Sequence, residues 1–567
     1  MRSIVLILSC ILSAVGCAPP PDAADLVLRN GKVVTVDDSQ PTAQAVAIRG
    51  GRVVAVGSDS QLEPFIGRQT EVLDLDGRLV VPGFIEGHGH FTSLGEAKMM
   101  LDLTHVSRWE EIVSMVATAV EKTEPGAWIL GRGWHQEKWD SVPHPSVDGL
   151  PTHAGLSQVS PQNPVLLGHA SGHAAFVNQA ALDVAGIVPG TTDPPGGTIV
   201  RDAQGNATGA LREKAQLLVR EVHEKVLAAR SPAEIRAHFD RAVKLAAQDL
   251  LAKGITSFHD AGSSFETIDH FQRLEAQGKL PVRLYVMVRF EDNPTMDTRL
   301  PQYKRVDPGG FLTVRAIKRQ IDGALGPHGA WLLEPYEDLP ESTGLVLETP
   351  EDIAETARIA VKHGFQVNTH AIGDRANREV LDIYEKAFSS LADPQDLRWR
   401  IEHAQHIHPD DISRFAQLGV IAAMQGIHCT SDAPWVLRRL GASRAESGAY
   451  LWRSFWDLGV IVTNGTDVPV EDADPIASFH ASVTRRTADG SLFFADQRMT
   501  RQEALRSYTL NNALAAFEED DKGSISPGKL ADLVVLSQDI LTIPEEQIPS
   551  TRVIFTILGG KIVYRAE

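Results

Sequence analysis

The chain has 567 residues, of which 43% are hydrophobic and 22% charged. This excludes a disordered or fibrous protein and, at about 150 residues per domain, leaves room for several domains or one large barrel with satellites. Its 54 basic against 73 acidic side chains give a net charge of −19, so a nucleic acid or an anionic membrane finds no electrostatic attraction here.

Arg2 followed by the apolar stretch 4–15 and then Gly16-Cys17 has the short apolar region of an export signal, too brief to span a bilayer. Residues 1–17 resemble a bacterial lipoprotein signal, with Ala14-Val15-Gly16-Cys17 as the cleavage box, Cys17 as the lipidated thiol and residues 18–21 as a tether; plain secretion is the alternative. The expectation is an exported protein facing the periplasm or exterior, held to a membrane through that lipid alone. With Cys10 and Cys17 in the leader no disulfide framework exists, and Cys429 reads as a small buried hydrophobe.

From Asp25 the chain reads as short β-strands around Asn30-Gly31 and Gly50-Gly51, and the pattern returns in 532–536, 553–557 and 559–563. Strands confined to the two ends predict one small β-sandwich made from residues 25–80 and 516–567. Between 81 and 515 the period changes to strand, helix, strand. A helix opens at Ser231 with Pro232 and a capping-box Glu234, carries Ile235, Phe239, Val243 and Ala246 at helical spacing, and stops at Gly254. Helix, glycine, strand recurs at Gly364, Gly419 and Gly459. Eight candidate strands result, at 81–85, 255–258, 282–288, 314–321, 365–369, 399–402, 420–424 and 460–463. They predict an α/β protein with a (β/α)8 TIM-type barrel whose active site lies at the carboxyl ends of the strands; a doubly wound open sheet is the alternative. Residues 91–250 exceed one helical crossover and contain an inserted lid subdomain with Trp128, Trp134 and Trp139, suited to excluding bulk water.

The strongest local signal is Gly87-His88-Gly89-His90 at the end of the first barrel strand. Residues i and i+2 of a strand point to the same side, so both imidazoles can reach one ion. His370 ends the fifth strand, His403 the sixth and Asp467 the eighth, which brings potential metal ligands to one rim. Lys318 lies within the fourth strand. Turned inward it would be a costly unpaired ammonium unless its pKa fell, leaving an amine able to become a carbamate; a surface lysine or a buried ion pair is the other reading. His259-Asp260 ends the second strand and His428 follows the seventh, each a candidate for substrate binding or for supporting the ligands. His173 from the lid and Tyr336 from the loop after strand four are candidate substrate contacts, Tyr336 also reading as a packed ring.

The segment 82–90, Ile317-Lys318 with Asp322-Gly323, the segments 370–376 and 400–405, Gly465-Thr466-Asp467-Val468-Pro469-Val470, and Gly523-Ser524-Ile525 with 527–532 together resemble the amidohydrolase superfamily, in its family 3 branch that includes N-substituted formamide deformylases. The resemblance implies a centre of one or two divalent ions, zinc by preference, with His88 and His90 on one, His370 and His403 on the other, a carboxylated Lys318 between them, and Asp467 as both ligand and proton carrier. It implies hydrolysis of a C–N bond in a linear or cyclic small-molecule amide by metal-activated water. Deamination, ester or lactone cleavage on the same scaffold, and a lipid-anchored protein that binds without turnover, are the other readings. Leu156-Ser157, His135 and Gln425-Gly426 depart from the branch's usual residues and bear on substrate choice. A homo-oligomer is left open.

Overall fold

A computed structural model of the chain describes residues 23–136, 139–169, 174–307, 309–391 and 396–566; the leader with Cys17, and His173, lie outside the described residues. The middle of the chain forms one eight-stranded parallel sheet whose spatial order is the chain order: β1 (Phe84–Gly89), β2 (Ile255–Ser263), β3 (Arg283–Val288), β4 (Leu312–Gln320), β5 (Gln366–Ala371), β6 (Arg400–His403), β7 (Ile421–Ala423) and β8 (Val462–Thr463). Helices such as Phe265–Ala276, Asp374–Ser389 and Pro409–Leu418 follow their strands, and their apolar faces join the strands in one large core. The last strand returns to the first. Asp467 N–H donates to His88 O at 2.8 Å, His90 N–H to Val468 O at 2.7 Å and Gly87 N–H to Asn464 O at 3.1 Å. The open sheet is thereby excluded, and the fold is the (β/α)8 barrel.

The punctuation read from sequence has a direct counterpart in the backbone. Ser231 and Glu234 form the reciprocal capping box of the helix Pro232–Ala252, and Gly254, Gly364, Gly419 and Gly459 hold the positive φ that ends a helix before a strand. Val243 and Ala246 are buried, whereas Ile235 is 41% exposed because the first turn of that helix overhangs the core. The expected first barrel strand also divides. Val81 and Pro82 belong to a terminal strand, Leu79–Pro82, and β1 begins at Phe84. Between them Gly83 passes so close to Thr256 that a Cβ would lie 2.2 Å from Oγ1.

Strands from the two ends form two facing sheets. One has the order Arg52–Gly57, Ala45–Arg49, Leu26–Arg29, Glu71–Asp74; the other runs Lys561–Arg565, Val553–Leu558, Leu533–Leu536, Leu79–Pro82, Lys32–Val34, Thr42–Ala43. Leu26, Leu28, Val46, Val80, Leu533, Val535 and Ile557 fill the space between them, making a small β-sandwich with contributions from both termini. The insertion after β1 carries a six-stranded mixed sheet built on Ile129–Trp134 and Val165–His169. Trp134 is buried and stacks on Trp139 at 5.9 Å, while Trp109 and Phe176 close the same cluster; Trp128 packs, half-buried, against a second cluster of the insert around Leu166, Val177 and Leu211. Among the described residues no helix is long and apolar enough to cross a membrane. Cys429 is buried, and burial pushes its thiol up to about 11.

Barrel and sandwich are joined by a buried ion pair. Arg283 at the start of β3 donates through Nε to Asp532 Oδ2 at 2.7 Å and through Nη2 to Oδ1 at 3.2 Å, and Nη1 donates to the carbonyls of Gly309 and Gly310. Both side chains are almost wholly buried. Removing one member strands a charge in a dry interface, so Asp532→Ala is expected to lower stability by about 3–5 kcal/mol. Urea unfolding checks this; an unchanged midpoint would show that the pair does not hold the two units together.

Candidate metal centre

Parallel strands and barrel closure bring the carboxyl ends of β1, β4, β5, β6 and the segment after β8 to one rim. On β1 the glycines of Gly87-His88-Gly89-His90 face packed surroundings. A Cβ at Gly87 would meet Asn464 O at 2.4 Å, and one at Gly89 would meet Phe258 Cζ at 2.6 Å. The histidines therefore take the inward positions. Asp467 Oδ1 lies 3.2 Å from His90 Nε2 and 3.5 Å from His88 Nε2, and one donor atom from each of the three residues falls within 4.8 Å of the others.

His88 is fixed from behind. Its Nδ1 pairs with Glu402 Oε2, Glu402 Oε1 accepts from Arg400 Nε at 2.7 Å, and Arg400 Nη2 donates to Gly87 O at 2.9 Å. A carboxylate on Nδ1 assigns the imidazole proton to that side and leaves the Nε2 lone pair facing the centre. Gln425 Oε1, 2.8 Å from His403 Nδ1, does the same for His403. The His403 ring lies 4.7 Å from that of His88 and 4.3 Å from that of His370, centroid to centroid. His370 Nε2 is buried without a hydrogen bond, 3.5 Å from Asp322 Oδ1. Lys318 is inward and buried, with Nζ 3.3 Å from His88 Nε2, so the surface-lysine reading is excluded.

Burial dominates the electrostatics. It lowers His88 to about 4, with Lys318 adding to the effect, and carries His370 and His403 well below the ordinary histidine range. All three are neutral and able to donate a lone pair. Burial also brings Lys318 down to about 8. For Asp467 burial works upward but is outweighed, His90 foremost, so its carboxyl stays well below the ordinary range. Its buried Oδ1 lies 3.2 Å from His90 Nε2 without the alignment of a good hydrogen bond. Three neutral imidazoles, a further histidine, an ionised carboxylate and an amine form a donor set that fits a borderline divalent cation. Two of these residues also hold the left-handed backbone that L side chains rarely adopt, Asp467 at a φ of 57° and His403 at 75°.

Other predicted contacts fall into supporting places. Asp260 does not face substrate, because its oxygens accept from Phe91 N–H at 3.0 Å and from the Ser263 hydroxyl, fixing the chain just after His90. His259 is buried behind the centre with Nδ1 3.1 Å from Arg400 Nη1. Tyr336 stands apart: it is 1% exposed and its hydroxyl donates to Ala330 O, so it packs its own loop rather than substrate. His428 remains at the edge of the site, its ring parallel to His403 at 6.3 Å and its buried Nε2 without a hydrogen bond. The sequence reading assigned no role to Arg400, Glu402 or Glu86, and took Gln425, with Gly426, as bearing on substrate choice rather than as the partner of His403. Glu86 is fully buried below His88, accepts from Thr466 N–H, and burial raises it to about 8. Its place two residues before His88 on the inward face of β1 was the available signal.

A barrel with such a donor set at its carboxyl rim defines a class, the metal-dependent hydrolases. The chain belongs to the amidohydrolase family, whose model matches residues 71–564, as the sequence motifs indicated. It is similar to the protein LONG AFTER FAR-RED 3 of Arabidopsis thaliana, 35% identical over 96% of this chain and 92% of the relative. It is also similar to the N-substituted formamide deformylase of Arthrobacter pascens, 30% identical over 95% of this chain and 98% of the relative. Among solved structures, an uncharacterized metal-dependent hydrolase from Pyrococcus furiosus matches with a TM-score of 0.71 at 27% identity, covering 91% of this chain and 100% of that one.

The carboxylate behind His88 is open to test. Glu402→Gln weakens the hold on the imidazole and leaves Arg400 without its counter-charge. Competitive chelator titration is expected to show divalent-ion affinity lower by about 10- to 100-fold; wild-type affinity would show that His88 is oriented without Glu402.

Proposed function

We propose that the chain hydrolyses a C–N bond of a linear or cyclic small-molecule amide, using one or two divalent ions, zinc by the chemistry of the donors. His88, His90 and Asp467 would hold one ion and His370 and His403 the other, with Lys318 between them. The main support is the convergence of His88, His90 and Asp467 from opposite ends of the barrel sequence, with one donor atom of each within 4.8 Å of the others. An ion bound there supplies Lewis acidity toward a carbonyl oxygen and lowers the pKa of a water to about 7.

The chain's own groups do the rest. Glu402 and Gln425 fix the rings of His88 and His403 so that bound substrate meets a set geometry. Asp467, held ionised, takes a proton from the attacking water at Oδ2 and passes it to the departing amine nitrogen. Lys318 can lose its proton more readily than a solvated lysine, and the neutral amine adds carbon dioxide with release of a proton to give a carbamate with two donor oxygens. An open-chain amide is favoured over a ring by the similarity to the Arthrobacter pascens N-substituted formamide deformylase. The leader read in residues 1–17 supports export, with Cys17 as the lipid attachment point.

Purified protein is expected to contain one or two divalent ions per chain, to lose amide hydrolysis on chelation and to regain it on re-addition of zinc. Asp467→Asn is expected to lower kcat by about 100-fold or more on any amide that the wild type hydrolyses; equal rates would remove Asp467 from proton transfer. Lys318→Ala is expected to lose one ion, with partial return of activity on adding short carboxylic acids. Unchanged metal content would exclude Lys318 as a ligand.

A further inference from the structure

Inward positions on β3 continue past its last strand residue. Tyr285 and Met287 lie inside the barrel, where Tyr285 donates to Gln366 and the Met287 sulfur accepts from Asn368. By strand alternation Arg289 is the next inward residue, one layer nearer the rim, and its N–H still joins β2 through Ser263 O at 2.9 Å. Its side chain lies across Gly262, where a Cβ would be 2.4 Å from Arg289 Cδ. The guanidinium then reaches Gln320 Oε1 through Nη2. Gln320 is two residues beyond Lys318 on the same face of β4 and pairs in register with His370 on β5. The cation therefore stands directly above the layer that carries Lys318 and His370.

What surrounds it is unusual for a half-buried arginine. Arg283 and Arg400 each have a buried carboxylate, and Arg319 donates to Thr356, Glu291 O and Asn293 with Glu348 at 3.6 Å. Arg289 has a neutral amide and, among the described residues, no acidic oxygen within 4.0 Å. The acids that face it are Asp467, Asp260 and Glu348. The first belongs to the centre, the second has both oxygens engaged, and the third, the strongest of them, lies 3.6 Å from Arg319 Nε without a hydrogen bond and does not touch Arg289. Beside it Phe290, at a φ of 68°, is 71% exposed with its ring 4.9 Å from the guanidinium carbon. A planar fork of donors, held in place but lacking an anion, next to an apolar ring, matches a carboxylate with an apolar neighbour.

We propose that Arg289 is the specificity-determining residue that binds a substrate carboxylate, so that the preferred substrates are N-acyl or N-formyl amino acids and related anionic amides rather than neutral ones. This rests on amide hydrolysis as proposed above, and the test separates the two. Metal-loaded protein is assayed with N-formylphenylalanine and N-acetylphenylalanine against the same amides lacking the carboxylate, and with a matching panel of aliphatic side chains. Binding of each compound is measured in parallel by thermal shift. The acids are expected to give kcat/KM about 10- to 100-fold above their neutral partners and the larger rise in Tm. Arg289→Met should remove both preferences by lowering kcat/KM on the acids far more than on the neutral amides, and Arg289→Lys should restore part of them.

Neutral amides that bind and react as well as the acids, a preference that survives in Arg289→Met, or a panel in which nothing binds would each overturn the assignment. Selective binding of the acids, lost in Arg289→Met but without turnover of any amide, would uphold the carboxylate site and sink the proposed hydrolysis instead.

Discussion

The pairing of the end of the barrel onto its beginning is the constraint from which the site follows. Asp467 N–H to His88 O and His90 N–H to Val468 O tie the segment after β8 to β1 around a single parallel bridge between Gly89 and Val468, and each involves a proposed ligand or its neighbour. Closing the sheet and assembling the donor set are thus one event. The packing on this seam leaves little freedom: a Cβ on Gly465 would come within 2.5 Å of Glu86 Oε1 and 2.7 Å of His88 N. The segment carrying Asp467 can approach β1 this closely because glycines stand on both sides of the seam.

Behind the rim the barrel interior is polar to an extent that only pairing makes tolerable. Arg400, Glu402, His88 and His259 form a connected set in which each charge meets an opposite or a hydrogen-bonding neighbour. The ordered set gives the imidazoles one protonation pattern and one orientation. Asp467 Oδ1 and His370 Nε2, both buried without a hydrogen bond, lie at the centre itself, and Glu86 Oε2 below it and His259 Nε2 behind it are likewise without one. The two at the centre belong to residues whose chemistry suits a cation.

Much of this was legible in the sequence because strand and helix periods are local. His88 and His90 follow from two-residue alternation, and the four helix-ending glycines from the need for a left-handed turn. The second ligand layer was harder, because it depends on a departure from the period. Alternation places Glu402 and His403 on opposite faces of β6, whereas both reach His88, Glu402 through a hydrogen bond and His403 through ring contact. The positive φ at His403 turns the second residue inward. For Asp260 and Tyr336 the sequence leaves substrate contact and structural support both open, for a related reason. Position at a strand end or in a rim loop does not say whether a polar group finds a backbone partner first, and both do. The division between Leu79–Pro82 and β1 depends on the remote strand Leu533–Leu536 as partner, which no local pattern announces.

That remote partnership has a consequence for how the molecule comes into being. The strand leading into His88 is covered on one side by a segment from the far end of the polypeptide, through Val81 against Val534 and Val80 against Val535. During synthesis the histidine pair therefore emerges long before the strand that secures its approach. The nascent chain must carry an uncovered sheet edge until the ribosome has nearly finished. A message cut short near its end would yield not a slightly trimmed enzyme but one whose entry strand has lost its support.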